Sequence, residues 1–210
     1  MSIPESVVHI GHGTFGECYN LSRIEVAERN ANYLVSEGVL CDRNGCVVSC
    51  PGALTSVEPG FYVKKIGDRA FWGCTNLTMI AIPPRVTEIG YAAFSGCKNM
   101  REVVIPPDVT SIGIEAFYVC GSLTSVTIPE GVTSIGDWAF EGCSELTSVT
   151  IPEGVTCIGE WAFYGCTGLT SVAMPSSVTS IGKRAFYLCR GLTEISIPPG
   201  VTSIGDHAFC

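Results

Sequence analysis

From Leu146 the chain reads Leu-Thr-Ser-Val-Thr-Ile-Pro, with apolar side chains at 146, 149 and 151 and hydroxyls between them. Alternation at Val149 and Ile151 turns those two residues to one side and Ser148 and Thr150 to the other, as a short strand does. Pro152 follows, and a residue without an N–H ends strand pairing. Val155-Thr-Cys-Ile158-Gly159 then predicts a second short strand, and Glu160-Trp-Ala-Phe-Tyr-Gly-Cys166 one helical or 3-10 turn, too short to stand as a free helix. After that the pattern begins again.

The unit Ile128 to Thr150, IPEGVTSIGDWAFEGCSELTSVT, is followed by IPEGVTCIGEWAFYGCTGLTSVA from Ile151 to Ala173, so the period is 23 residues. A period of this size marks a solenoid, in which each coil is too small to hold a core and is stabilised by stacking on its neighbours. Units open near residues 3, 59, 82, 105, 128, 151, 174 and 197. The last stops at Cys210, so an exposed Phe209 layer is expected there. Residues 27–58 leave the period and are read as a β-hairpin insertion, with Asp42-Arg43-Asn44-Gly45 as its turn. The expected organisation is one solenoid over 1–210.

Ile-Gly recurs in all eight units, from Ile10-Gly11 to Ile204-Gly205, and Phe at 15, 71, 94, 117, 140, 163, 186 and 209. A side chain that returns at the same point of every coil stacks on its own copies, giving an Ile ladder and a Phe ladder. Each buried member contributes about 1.5–3 kcal/mol relative to exposure. The repeated Gly sits where the backbone needs a positive φ or where no Cβ fits.

The consensus I-P-x-x-V-T-x-I-G-x-x-A-F-x-x-C-x-x-L-x-x-V-x resembles the BspA-type leucine-rich repeat over residues 3–26 and 59–210. Asn32-Tyr33, Ser36, Gly38-Val39-Leu40 and Cys50-Pro51-Gly52 are similar to the hairpin insertion that such arrays carry, with Cys41 in place of the usual aromatic residue. The resemblance implies a β-rich, α/β-type coil with a parallel concave sheet, and a surface protein that attaches to host or matrix proteins.

Hydrophobic residues make up 46% of the chain and charged ones 15%, which excludes a disordered chain. The formal charge is −8, and nine acidic residues but no Lys or Arg fall between Arg101 and Lys183. Such a field repels phosphate backbones, so no nucleic-acid partner is expected. There is no run of eighteen apolar residues for membrane insertion, and the opening MSIPESVVHIGHG has no signal-peptide pattern.

Seven of twelve cysteines, at 18, 74, 97, 120, 143, 166 and 189, share one repeat position and are expected to form a reduced ladder of buried thiols. Disulfides between neighbouring rungs remain an alternative, since stacked coils lie about 5 Å apart. Cys41, Cys46 and Cys50 are read as structural thiols, with a Cys41–Cys46 bridge or a metal site as alternatives; three ligands at that spacing suit zinc poorly. His9, His12 and His207 are expected on the surface. Carboxylates occupy variable outer positions where no second group is expected to shift their pKa. Asn20-Leu-Ser and Asn76-Leu-Thr are formal glycosylation sequons.

No nucleophile elbow, phosphate loop, dinucleotide fingerprint or HExxH segment occurs, so no enzyme, cofactor or metal is expected. The candidate surface is the outward side of the concave strands: Arg23/Glu25, Met79/Ala81, Glu102/Val104, Ser125/Thr127, Ser148/Thr150, Ser171/Ala173 and Glu194/Ser196. Extended solenoid faces of this kind bind protein or peptide. A purely structural intracellular scaffold is the alternative. A more remote one is an ice- or mineral-facing array of Thr87, Thr110, Thr133, Thr156, Thr179 and Thr202, which needs a flat sheet.

Overall fold

A computed structural model describes all of residues 1–210 as a β-solenoid of about nine turns. The first strands are β1 (Ser2–Ile3), β2 (Glu25–Val26), β3 (Tyr33–Ser36), β4 (Val39–Asp42), β5 (Cys46–Ser49), β6 (Ser56–Val57), β7 (Lys65–Ile66) and β8 (Met79–Ala81). From β7 onward each coil supplies a strand to one or both of two parallel sheets. The Leu-x-x-Val strands form a six-stranded sheet from β6 and β8 through Glu102–Val104, Ser125–Thr127 and Ser148–Thr150 to Ser171–Ala173. The Ile-Gly strands form the larger sheet, ending at Ser203–Ile204, and β5, β4 and β3 extend it at its other end. β1 and β2 pair separately in parallel.

The repeated side chains stack as the period requires. Phe71, Phe94, Phe117, Phe140, Phe163, Phe186 and Phe209 follow one another at ring-centroid distances of 5.0 to 5.5 Å, with adjacent rings within 13° of parallel. Phe209, stacked on Phe186, is 38% exposed. Phe15 lies outside this column, in a small second core with Ile3, Ile24, Tyr33 and Leu40.

The expected helical turn between the Ile-Gly and Leu strands does not form. In each coil from Arg69 onward the residue two before Phe lies in the left-handed region, with φ of 49–59° at Arg69, Ala92, Glu115, Trp138, Trp161, Arg184 and His207. Such residues interrupt a right-handed helix. The backbone instead alternates tight turns with rungs between coils: Glu141 N–H donates to the Trp138 carbonyl at 3.2 Å, while Phe140 N–H donates to Ala162 of the next coil at 2.8 Å.

The Ile-Gly glycines from Gly67 onward are not in the left-handed region, and the second of the two readings holds for them. A Cβ on Gly113 would stand 2.5 Å from the Gly90 carbonyl oxygen, and one on Gly182 would stand 2.5 Å from the Gly159 carbonyl carbon. The coils approach backbone to backbone at these points.

Residues 27–58 hold more than a hairpin. β3, β4 and β5 form an antiparallel meander, with a register shift at Leu40/Cys41, but β5 also pairs in parallel with β7 and β6 in parallel with β8. Residues 46–58 are therefore a shortened coil. Cys46 lies opposite Lys65, 19 residues on, whereas Ser56 lies opposite Met79, 23 residues on. Its turn is four residues shorter than those that follow.

All twelve cysteines are free. The ladder is real but its first rung differs from expectation, because Cys18 is exposed and stands outside it. Cys97, Cys120, Cys143, Cys166 and Cys189 each direct Sγ at a Phe carbonyl of the preceding coil, at 3.2 or 3.3 Å. Cys74 reaches the Cys50 carbonyl at 3.9 Å in the same way. Cys50 N–H donates to Ala70 as Phe71 N–H donates to Ala93, both at 2.8 Å. Cys50 thus fills the place that Phe takes in the later coils. Burial pushes the Cys143 and Cys189 thiols up to about 12. A thiol reagent at pH 8 is expected to label only the exposed Cys18, Cys157 and Cys210 in the native protein; rapid labelling of further thiols would contradict the ladder.

Candidate functional site

The alternation in each Leu-x-x-Val strand buries the central residue and exposes its neighbours. Ile80, Val103, Val126 and Val149 are buried, while the flanking residues face solvent. Parallel pairing in constant register then aligns equivalent residues across strands. Met79 lies opposite Glu102, Glu102 opposite Ser125, and Ser148 opposite Ser171. A second row carries Ala81, Val104, Thr127, Thr150 and Ala173. The structure therefore brings Met79, Glu102, Ser125, Thr127, Ser148, Thr150 and Ser171 onto one exposed face.

Four expected members lie elsewhere. Arg23 and Glu25 belong to the separate β1–β2 sheet region, where they pair with each other at 3.0 Å and line a groove of about 710 Å³ with Arg43. Glu194 and Ser196 are exposed in a coil whose Leu segment forms no strand.

The face has two chemically distinct parts. In its centre, Thr124, Thr147 and Thr170 turn their hydroxyls to the carbonyls of Arg101, Thr124 and Thr147, at 3.1 to 3.3 Å. That row is used within the sheet, and the Ser125, Ser148 and Ser171 row stands beside it. Toward the shortened coil the surface becomes apolar. Met79 is 58% exposed and Val104 63% exposed, and with Ala81, Pro84, Pro106 and Pro107 they line a depression of about 430 Å³ that also includes Glu102. Strand alternation marks Met79 and Val104 as outward. The three prolines carry no such signal, because the pattern reads them only as strand terminators.

Other candidate residues are dispersed. His9, His12 and His207 are exposed, as expected. Asn76 Nδ2 donates to the Tyr19 and Gly52 carbonyls at 3.2 and 3.0 Å, whereas Asn20 is exposed. The expectation that no carboxylate is perturbed fails at Glu141, whose pKa is raised by partial burial and then by the nearby Glu115 carboxylate. The Thr of the larger sheet are exposed, and Thr179 and Thr202 donate their hydroxyls to the carbonyls of the preceding rungs at 3.1 and 3.2 Å. No helix is long and apolar enough to cross a membrane.

A stack of coils with Leu, Val, Ile, Phe and Cys ladders and a parallel sheet of short strands defines a leucine-rich-repeat solenoid. The BspA type leucine rich repeat region matches in six copies, over residues 1–37, 44–133 and 110–210, and the chain belongs to this family. A leucine-rich repeat protein from Eubacterium ventriosum is similar in structure with a TM-score of 0.92 and 33% identity, over 99% of this chain and 57% of that one. The leucine rich repeat protein of T. pallidum shares 30% identity over 86% of each chain, with a TM-score of 0.74. A leucine rich cell surface protein from Faecalibacterium prausnitzii shares 28% identity over 98% of this chain and 47% of that one, with a TM-score of 0.64. The chain thus spans about half the length of the first and third of these. No curated protein matches it.

Proposed function

We propose that this protein is a non-catalytic recognition module that binds another protein through the exposed face of its six-stranded sheet, in an adhesive role. The observation that carries the reading is the face itself: a continuous register of outward residues from Met79 to Ser171, polar along most of its length, with an apolar depression at one end. Interfaces combine an apolar patch with surrounding hydrogen-bonding groups, and this face offers both, the apolar patch at one end. The likeness to a bacterial cell surface protein supports adhesion over an internal scaffold.

The test is binding to a panel of purified extracellular-matrix proteins by the native protein and by the triple variant Ser125→Lys, Ser148→Lys and Ser171→Lys. The three positions are exposed, so the variant is expected to keep the native melting temperature. It is expected to lose at least tenfold in affinity for any matrix protein that the native chain binds. Equal affinity would remove this face from the reading, and binding to none of the panel would remove the adhesive role.

A further inference from the structure

The charge around the face points to the chemistry of its occupant. The molecule forms two ion pairs, Arg23–Glu25 and Lys65–Glu88, and neither involves the acids near the depression. Glu102 stands within the depression, exposed and without a cationic partner. Two bases lie close in sequence to this lining. Arg85, in the turn that leaves Met79–Ala81, holds its guanidinium over the Phe61 ring at a centroid distance of 5.4 Å, and Arg101 is the last base before Lys183.

Beyond Arg101 the same face is bordered only by acids. Asp108, Glu130 and Glu153 are exposed in the turns that leave the strands Glu102–Val104, Ser125–Thr127 and Ser148–Thr150. Strands lie about 4.8 Å apart, so Glu130 and Glu153, at one repeat position of successive coils, stand about one such step apart, with Asp108 one residue further along the turn before them. An extended chain advances about 3.3 Å per residue, and two strand spacings correspond to about three of its residues.

We infer that the face takes an extended basic segment of a partner protein, with one large apolar side chain seated between Met79 and Val104 and lysines or arginines running over Ser125 and Ser148 toward the acidic turns. The inference rests on the reading of this sheet as the recognition face and adds the chemistry of the partner. The apolar residue fixes register, since the rest of the face presents hydroxyls. The basic residues supply steering and a salt-sensitive share of the affinity.

The experiment uses backbone amide NMR of the full chain with three synthetic amidated peptides. One carries a leucine followed by three lysines spaced by glycines; the second has serine for leucine; the third has glutamate for each lysine. The leucine–lysine peptide is expected to shift amides of residues 79–107 and 125–150 in a saturable way. The serine peptide, and the protein variant Met79→Ser with Val104→Ser, are expected to bind at least fivefold more weakly. The glutamate peptide is expected to produce no saturable shift.

Absence of a saturable shift with the leucine–lysine peptide at 1 mM, on the order of the weakest specific contacts, would overturn the inference. Shifts spread evenly over all acidic residues would overturn it too, as would equal binding of the glutamate peptide on this face. The last result would leave the face as a recognition surface and remove only its preference for basic partners. The matrix-protein assay with the Ser→Lys variant reports on the face separately.

Discussion

Raising the pH from 8 to 10 is expected to unfold this protein, with the buried thiols as the cause. Burial is the first cause of the raised pKa at Cys41, up to about 11, and at Cys143 and Cys189, up to about 12. Cys97, Cys120 and Cys166 are held well above the ordinary 9.0 by the same cause, and Cys50 by the Cys74 thiol beside it and then by burial. In the unfolded chain these thiols ionise near 9.0, whereas in the folded coils they stay protonated. The folded state therefore binds more protons above pH 9, and stability falls as pH rises through that value. Each thiol removes about 1.4 kcal/mol for a full pH unit above its unfolded pKa. Seven of them together remove on the order of 5–10 kcal/mol by pH 10, comparable with the whole stability of a typical domain.

Urea unfolding at pH 7, 8, 9 and 10 measures the effect. The midpoint is expected to hold steady from 7 to 8 and then to drop steeply. The double variant Cys120→Ala and Cys143→Ala is expected to start from a lower stability but to lose less between 8 and 10, since two ionisations are gone. A midpoint unchanged at pH 10 would mean that the thiols are not held protonated by the fold.

Much of this architecture is written in the residues that repeat. Ile, Phe and Leu at a 23-residue spacing can be satisfied together only by stacking, and the outward Ser and Thr follow from strand alternation. The shortened coil was hidden for the same reason that the others were plain. Its four-residue deletion breaks the period, its Phe place is taken by Cys50, and its Ile place by Val47. The surviving signal is Leu54-Thr-Ser-Val57, identical to Leu123-Thr-Ser-Val126. Cys18 shows the converse failure. It stands at the ladder position of its own unit, but the coil after it is the shortened one, so no regular neighbour encloses it.

The candidate face was legible where it depends on alternation and obscure where it depends on turns. Met79 and Val104 are outward by strand parity, yet the depression between them needs Pro84, Pro106 and Pro107, whose placement follows from turn geometry that periodicity does not encode. Likewise, the missing helical turn comes from left-handed residues as different as Arg69, Glu115 and Trp161. Their side chains carry no common local signal for that conformation. The stacking of one coil on the next imposes it.

Gly113→Ala is expected to destabilise the protein by about 3 kcal/mol or more, against the direction that the loss of glycine flexibility would give. Gly113 is not in the left-handed region, so alanine can adopt its backbone conformation. On conformational grounds alone the change would stabilise slightly, because alanine restricts the unfolded chain. The obstacle is space: the new methyl would lie 2.5 Å and 2.6 Å from the Gly90 carbonyl oxygen and carbon, and 2.9 Å from the Tyr91 nitrogen. Those are backbone atoms of a coil that pairs through Ser111–Glu88 and Ile112–Ile89, so relief requires the larger sheet to open in mid-array.

Gly165→Ala separates the two causes. Its φ is +69°, but nothing lies within 4 Å of an added Cβ, so its cost is the left-handed penalty of about 1–2 kcal/mol alone. Urea denaturation of both variants is expected to rank Gly113→Ala well below Gly165→Ala. The reverse order would mean that the coils can part at little cost, and that backbone contact between Ile-Gly turns does not set their spacing. With the expected order, the glycine that follows Ile in each coil from Gly67 onward is there to let one turn lie directly on the next. The side-chain ladders then stack at the separation which that contact fixes.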